Sequence, residues 1–288
     1  MYYSIYPKLR AIYSFLPTER EIEYLIKAKG LSGYNSRIRE LNILKRFPLK
    51  GINIERHFSL IPFELGKVVY DRLFGSPKDF FHTYMKIYEL KDIKAVLRGG
   101  MSSYQLYLER ENLDFSEIDD SMKKGFWEEA WRQGYSRYRE TERISDIEIP
   151  LDHYYYKILI KTSQRLPSSD RTETGELILD WIDLINQVWI YRLRQFYGMK
   201  WFEIKRFLIP EGNVYQNIEE TEGLSRVIMI KECSRICYRG FKMRMFTMKA
   251  ILAFFILLDF KMEKIISIYS AKLLNMEEDR LKKIIGVS

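Results

Sequence analysis

The residues whose types could do chemistry are few in this chain of 288 residues. His57, His82 and His153 stand in separate segments, none with a carboxylate or second histidine at metal-ligand spacing, so each is read as a packing or surface residue. Cys233 and Cys237 are the only cysteines. Four residues apart, they share one helix face, which suits reduced, packed thiols rather than a zinc knuckle or disulfide framework. The pair Asp119-Asp120 has no partner motif for a metal and reads as a solvated loop or helix start. Gly99-Gly100 lacks the following Lys-Ser/Thr of a phosphate loop, and no nucleophile lies beside a base. No catalytic residue, cofactor or metal is expected.

A different pattern recurs. An acid is followed nine residues later by a base near the end of a long amphipathic stretch: Glu89 and Arg98, Asp183 and Arg192, Glu263 and Lys272. The copies lie 94 and 80 residues apart. Tyr88, Ile182 and Met262 precede the acids, and Tyr84, Ile178 and Leu258 stand four residues earlier, so each copy offers a comparable apolar stripe. Nine helical residues turn through about 900° and rise about 13 Å, so acid and base face opposite ways and do not pair. Each base either complements its helix's C-terminal dipole or ties its helix to a neighbouring bundle, and the spacing leaves both readings open.

The elements that position these residues read as helices. In PTEREIEYLIKA (17–28), Pro17 and Thr18 open an acidic first turn, and Ile22, Leu25 and Ile26 form the apolar stripe. Residues 80–100 keep the same period until Gly99, and similar patterns cover 121–140, 151–165, 176–198, 224–240, 245–272 and 276–285. Breaks are expected at 47–51, 74–79, 165–175 and 208–213, where Pro, Gly, Ser or Asp gather. The expected fold is all-α, in three similar helical bundles over 1–105, 106–207 and 208–288.

The longest apolar run, AILAFFILL (250–258), rises only about 13 Å as a helix against a hydrocarbon layer of roughly 30 Å, so it is expected in a protein core. The first residues lack the apolar stretch of a signal peptide. A net charge of +8 suits nucleic acid, an anionic membrane surface or an acidic partner without choosing among them. A basic helical nucleic-acid-binding scaffold is therefore the alternative reading, although no run of five or six basic residues occurs.

The order of motifs resembles one family along nearly the whole chain. YPKLRAIYSFLPTEREIEYLI (6–26) places Tyr6, Arg10, Ala11, Leu16, Thr18 and Leu25 where the family's opening helices have theirs. ELKDIKAVLRG (89–99) is similar to its D-i-x-N-l-k-x-l-L-R signature, with Glu89 and Asp92 in place of Asp and Asn. DLINQVWIYR (183–192) repeats that signature with Asp183 and Asn186 intact, and LIPEG (208–212) resembles the turn that follows it. NIERHF (53–58), LDHYYYKIL (151–159) and the stretch from Lys261 to Ile285 match further pieces in order. After Arg98 the chain departs, running MSSYQLYLERENLDF without the family's Pro-Gly turn.

The family resembled is that of the C-type subunits of archaeal and bacterial A/V-type rotary ATPases, called d-type in the eukaryotic V-ATPase. That resemblance implies three kindred bundles in a funnel-like arrangement about a pseudo-threefold axis, with no active site. It implies a central-stalk rotor component on the cytoplasmic face of a membrane, peripheral to it. Its partners would be stalk subunits of the D and F type and the membrane rotor ring that moves protons or sodium ions. Arg10, Glu89, Asp92, Arg98, Asp183, Asn186, Arg192, Glu263 and Lys272 become candidates for contacts between repeats or with the stalk.

Overall fold

The computed structural model describes residues 2–49, 53–99, 119, 122–221, 223–243 and 245–285. In chain order its helices are α1 (Tyr6–Tyr13), α2 (Glu19–Ile26), α3 (Gly30–Ile38), α4 (Asn42–Arg46), α5 (Ile54–Tyr70), α6 (Ser76–Leu97), α7 (Glu128–Thr141), α8 (Ser145–Ser163), α9 (Ser168–Tyr197), α10 (Trp201–Ile204), α11 (Asn213–Gln216), α12 (Arg226–Met243), α13 (Met248–Leu273) and α14 (Glu278–Ile285). The described residues form no strand, so the all-α expectation holds.

Two expected breaks are largely helix. Residues 165–175 read as a turn in sequence, yet α9 begins at Ser168 and runs through Gly175. Pro167 stands before its first turn, where a missing N–H costs nothing. Within 74–79, Ser76 already opens α6, with Pro77 in its first turn for the same reason. Helices α1, α3, α4 and α5 do not emerge from periodicity. Three of them are nine residues or shorter, and Pro62 interrupts the pattern inside α5.

The start of α2 follows its sequence closely. Thr18 Oγ1 accepts from the Glu21 N–H at 3.1 Å, and Glu21 Oε2 accepts from the Thr18 N–H at 2.8 Å. This reciprocal capping satisfies two donors that the first helical turn would otherwise leave unpaired. Thr18→Ala is expected to cost about 1 kcal/mol of stability, read as a lower urea midpoint at unchanged slope.

Helix α13 is the centre of the molecule. Over 250–258 its nine apolar residues in succession leave no polar face, so every side of that stretch must be covered. Phe254 and Phe255 are fully buried, and α1, α2, α3, α5, α9, α12 and α14 all contact the helix. Buried side chains from Tyr2 to Leu281 form one contiguous core. A smaller one, of Ile190, Leu193, Ile204, Leu208 and Ile218, lies at the far end of α9.

Residues of all three expected segments share the main core. Tyr6 donates to the Phe241 carbonyl at 2.7 Å, Tyr34 to the Ile265 carbonyl at 3.0 Å and Tyr155 to the Tyr84 carbonyl at 3.1 Å. The position expected as a boundary at 105/106 lies outside the described residues.

Candidate functional site: the groove where the long helices converge

The three stretches carrying the acid–base spacing are the long helices α6, α9 and α13. They converge on a groove of about 250 Å³. Lys91 comes from α6, Trp181 and Arg192 from α9, and Asp259 and Glu263 from α13, while Tyr156 of α8 and Met229 of α12 close the sides. Of the candidates, the groove brings together Arg192 and Glu263.

Lys91 stands between two carboxylates, 3.4 Å from Glu263 and 3.9 Å from Asp259. Asp259 also accepts from the Tyr88 hydroxyl at 3.2 Å. Burial pushes its carboxyl up to about 6. The Glu263 charge adds to that rise, while Lys91 and the Tyr88 hydroxyl oppose it. The Arg192 guanidinium lies 5.4 Å from the Trp189 ring one turn earlier on the same helix.

The remaining candidates occupy separate places. Asp183 accepts from the Val214 N–H at 2.8 Å and from Asn213 Nδ2 at 3.1 Å, and so holds the first turn of α11. Asn186, fully buried, donates to the Ile209 carbonyl at 2.9 Å and accepts from the Ile209 N–H at 2.8 Å. The D-x-x-N signature and the LIPEG turn are thus two halves of one contact. Gly212 completes it, because a Cβ there would stand 2.6 Å from Asp183 Oδ1 and 2.9 Å from Asn186 Nδ2.

In the first copy, Glu89 pairs with Lys86 and accepts from Trp127 Nε1 at 3.1 Å, while Asp92 is buried. Arg98 grips Glu148 of α8 with two hydrogen bonds, 2.6 and 2.9 Å. More than half of the Arg98 side chain is exposed, so solvent screens the pair. Arg98→Ala is expected to cost less than about 1 kcal/mol, and a double-mutant cycle with Glu148→Ala measures the coupling itself. Lys272 is buried and donates to the Ile26 and Ala28 carbonyls, both at 2.7 Å, capping the end of α2. Arg10 is exposed on α1, 5.7 Å from the Phe241 ring.

Two of the three bases therefore reach other segments, Arg98 to α8 and Lys272 to α2, whereas Arg192 stays beside its own helix. Lys91 and Asp259 fall outside the nine-residue spacing. The available signal was the like-charged pair Asp259 and Glu263 one turn apart on α13, which calls for a cation from a neighbouring helix.

The other chemistry-bearing residues pack. Cys233 and Cys237 are free, buried thiols with sulfurs 4.0 Å apart. His57 Nε2 sits 3.0 Å from the Phe47 carbonyl oxygen, and His82 lies against the Tyr70 ring. Burial holds the pKa of His57, His82 and His153 below the usual histidine range. Asp119 accepts from Trp131 Nε1 at 2.7 Å and pairs with Lys123, and Asp120 lies outside the described residues. Among the described residues, no three His, Cys, Asp or Glu side chains gather as a metal site, and no helix is long and apolar enough to cross a membrane.

A sequence model of the ATP synthase (C/AC39) subunit family matches residues 67–239. The chain belongs to this family. The match spans the end of α5 through most of α12, so it includes the first two acid–base copies and the turn docked on Asp183 and Asn186. The third copy, on α13, lies beyond it. No curated protein matches the chain. Members of the C/AC39 family are subunits of V/A-type ATPases, which agrees with the resemblance read from the motifs.

Proposed function

We propose that this chain is a non-catalytic central-stalk component of a V/A-type ATPase that couples the axle to the membrane rotor ring from the cytoplasmic side. Membership of the C/AC39 family carries the reading. The helical core suits it mechanically. A torque-bearing adaptor needs low compressibility, and the interior is filled by close-packed rings such as Tyr84, Phe81, Phe254 and Phe255.

The proposal includes three kindred units, 1–105, 106–207 and 208–288, each contributing one long helix to the groove, in a funnel-like arrangement about a pseudo-threefold axis. We place the contacts with D- and F-type stalk subunits and the ring on surfaces that include Arg10 and Arg192. Many cations that a nucleic-acid scaffold would need free are engaged within the chain: Lys94 with Asp152 at 2.6 Å, Lys261 and Lys264 with Glu19.

Affinity purification of the tagged chain from its own cells is expected to recover the other subunits of a rotary ATPase, while the purified chain alone hydrolyses no ATP. Arg10→Glu and Arg192→Glu, both at exposed positions, are expected to lower recovery of stalk subunits without changing the thermal midpoint. Recovery without any ATPase subunit would overturn the reading, and unchanged recovery with both variants would remove these two residues from the interface.

A further inference from the structure

The end of α9 carries a group of exposed rings that the rotor reading does not use. Phe196 and Tyr197 are its last residues, 73% and 66% exposed, and Trp201 and Phe202 open α10 at 41% and 58%. Gly198, with φ of +62°, turns the chain between them through a left-handed conformation. The smaller core lies beneath, built from Ile190, Leu193, Ile204 and Leu208, so the exposed rings are not needed to fill it. Arg194 braces the knob by donating to the Thr221 carbonyl at 2.7 Å. Large rings exposed to water at this density mark an interaction surface.

Cations predominate along the chain that carries them, while exposed Glu219 stands next to Ile218 of the smaller core. Residues 194–207 hold four cations, Arg194, Lys200, Lys205 and Arg206, and one carboxylate, Glu203. That carboxylate accepts from the Lys200 N–H at 2.8 Å and is occupied in capping α10. Lys200 and Arg206 are exposed beside the rings.

We propose that this aromatic, cation-rimmed tip inserts into the headgroup layer of an anionic lipid bilayer. Trp and Tyr favour that layer because an apolar body and a polar atom are satisfied together there, and neighbouring cations meet the anionic headgroups. The arrangement favours a fluid surface over a protein groove. The rings come from consecutive residues, Phe196 with Tyr197 and Trp201 with Phe202, the latter two meeting edge-on with centroids 6.0 Å apart, whereas a groove binder aligns its anchors on one helix face at i, i+3, i+4. The proposal concerns the isolated chain and stands apart from the rotor reading.

The full chain is incubated with vesicles of phosphatidylcholine containing about 30% phosphatidylglycerol at low salt and sedimented. It is expected to pellet with them, to bind pure phosphatidylcholine at least about tenfold more weakly, and to be released in about 1 M salt, where the screening length is about 3 Å. The triple variant Phe196→Ser, Trp201→Ser, Phe202→Ser is expected to lower anionic binding at least about tenfold with its circular dichroism melt unchanged. Failure of the unaltered chain to pellet, or equal pelleting of the triple variant, would overturn the proposal. So would loss of co-purifying ATPase subunits by the triple variant when the unaltered chain ignores vesicles, an outcome that assigns the tip to a protein partner.

Discussion

Replacing Asn186 by alanine is expected to lower the unfolding free energy by about 4 kcal/mol, read from urea denaturation followed by circular dichroism. Its side-chain amide makes two hydrogen bonds to the main chain of Ile209 in a fully buried place. Alanine removes both, leaving a donor and an acceptor dry at about 1–3 kcal/mol each, together with a small cavity. Asn186→Asp keeps the shape but turns an acceptor toward the Ile209 carbonyl, so it is expected to cost about as much at neutral pH. An Asn186→Ala variant within about 1 kcal/mol of the parent would mean that the 209–214 turn is held by something other than this contact.

Asp259→Asn is expected to act in the opposite direction, raising stability at pH 8 by about 1–3 kcal/mol. The Asp259 carboxyl is pushed up to about 6 in the folded chain, chiefly by burial, against about 3.9 for an unfolded aspartate. Folding therefore takes up a proton between those values. The stabilising share of the protonated group is present in acid, declines as pH rises through about 4 to 6, and is gone above that interval. Roughly one sixth of the side chain meets solvent and Lys91 lies 3.9 Å away, so the effect stays below the full value that burial alone would give. Asparagine still accepts from the Tyr88 hydroxyl and carries no charge to desolvate. Urea titrations of parent and variant from pH 4 to 8 measure the difference, and parallel pH profiles would contradict the assignment.

The helical class and the innermost helix were legible in the sequence for one physical reason. A run such as 250–258 has no face to give to water, and its burial follows from that alone. The Asp183 and Asn186 signature was legible as a motif, but its partner turn 23 residues on became a contact only in three dimensions. Arg98 and Lys272 showed what spacing leaves open. Both are bases late in a helix, where a dipole role and a tie to a neighbouring bundle fit equally well, and only the fold shows that one meets Glu148 and the other the carbonyls of α2. The Asp259 groove stayed hidden because its parts come from helices about 170 residues apart, and a single carboxylate after an apolar run looks like a helix surface. The aromatic tip was obscured in a different way, since exposed and buried rings look alike in one dimension.

The bonds from Lys272 to Ile26 and Ala28, and from Tyr34 to Ile265, have a consequence for the order of biosynthesis. The segment holding Ile26, Ala28 and Tyr34 is roofed by one that is synthesised at least 231 residues later. At about 5–20 residues per second, α2 and α3 wait on the order of ten to fifty seconds for the chain that covers them. During that interval Leu25, Ile26 and Tyr34 face water or a chaperone, and the nascent chain is most exposed to aggregation before α13 is complete.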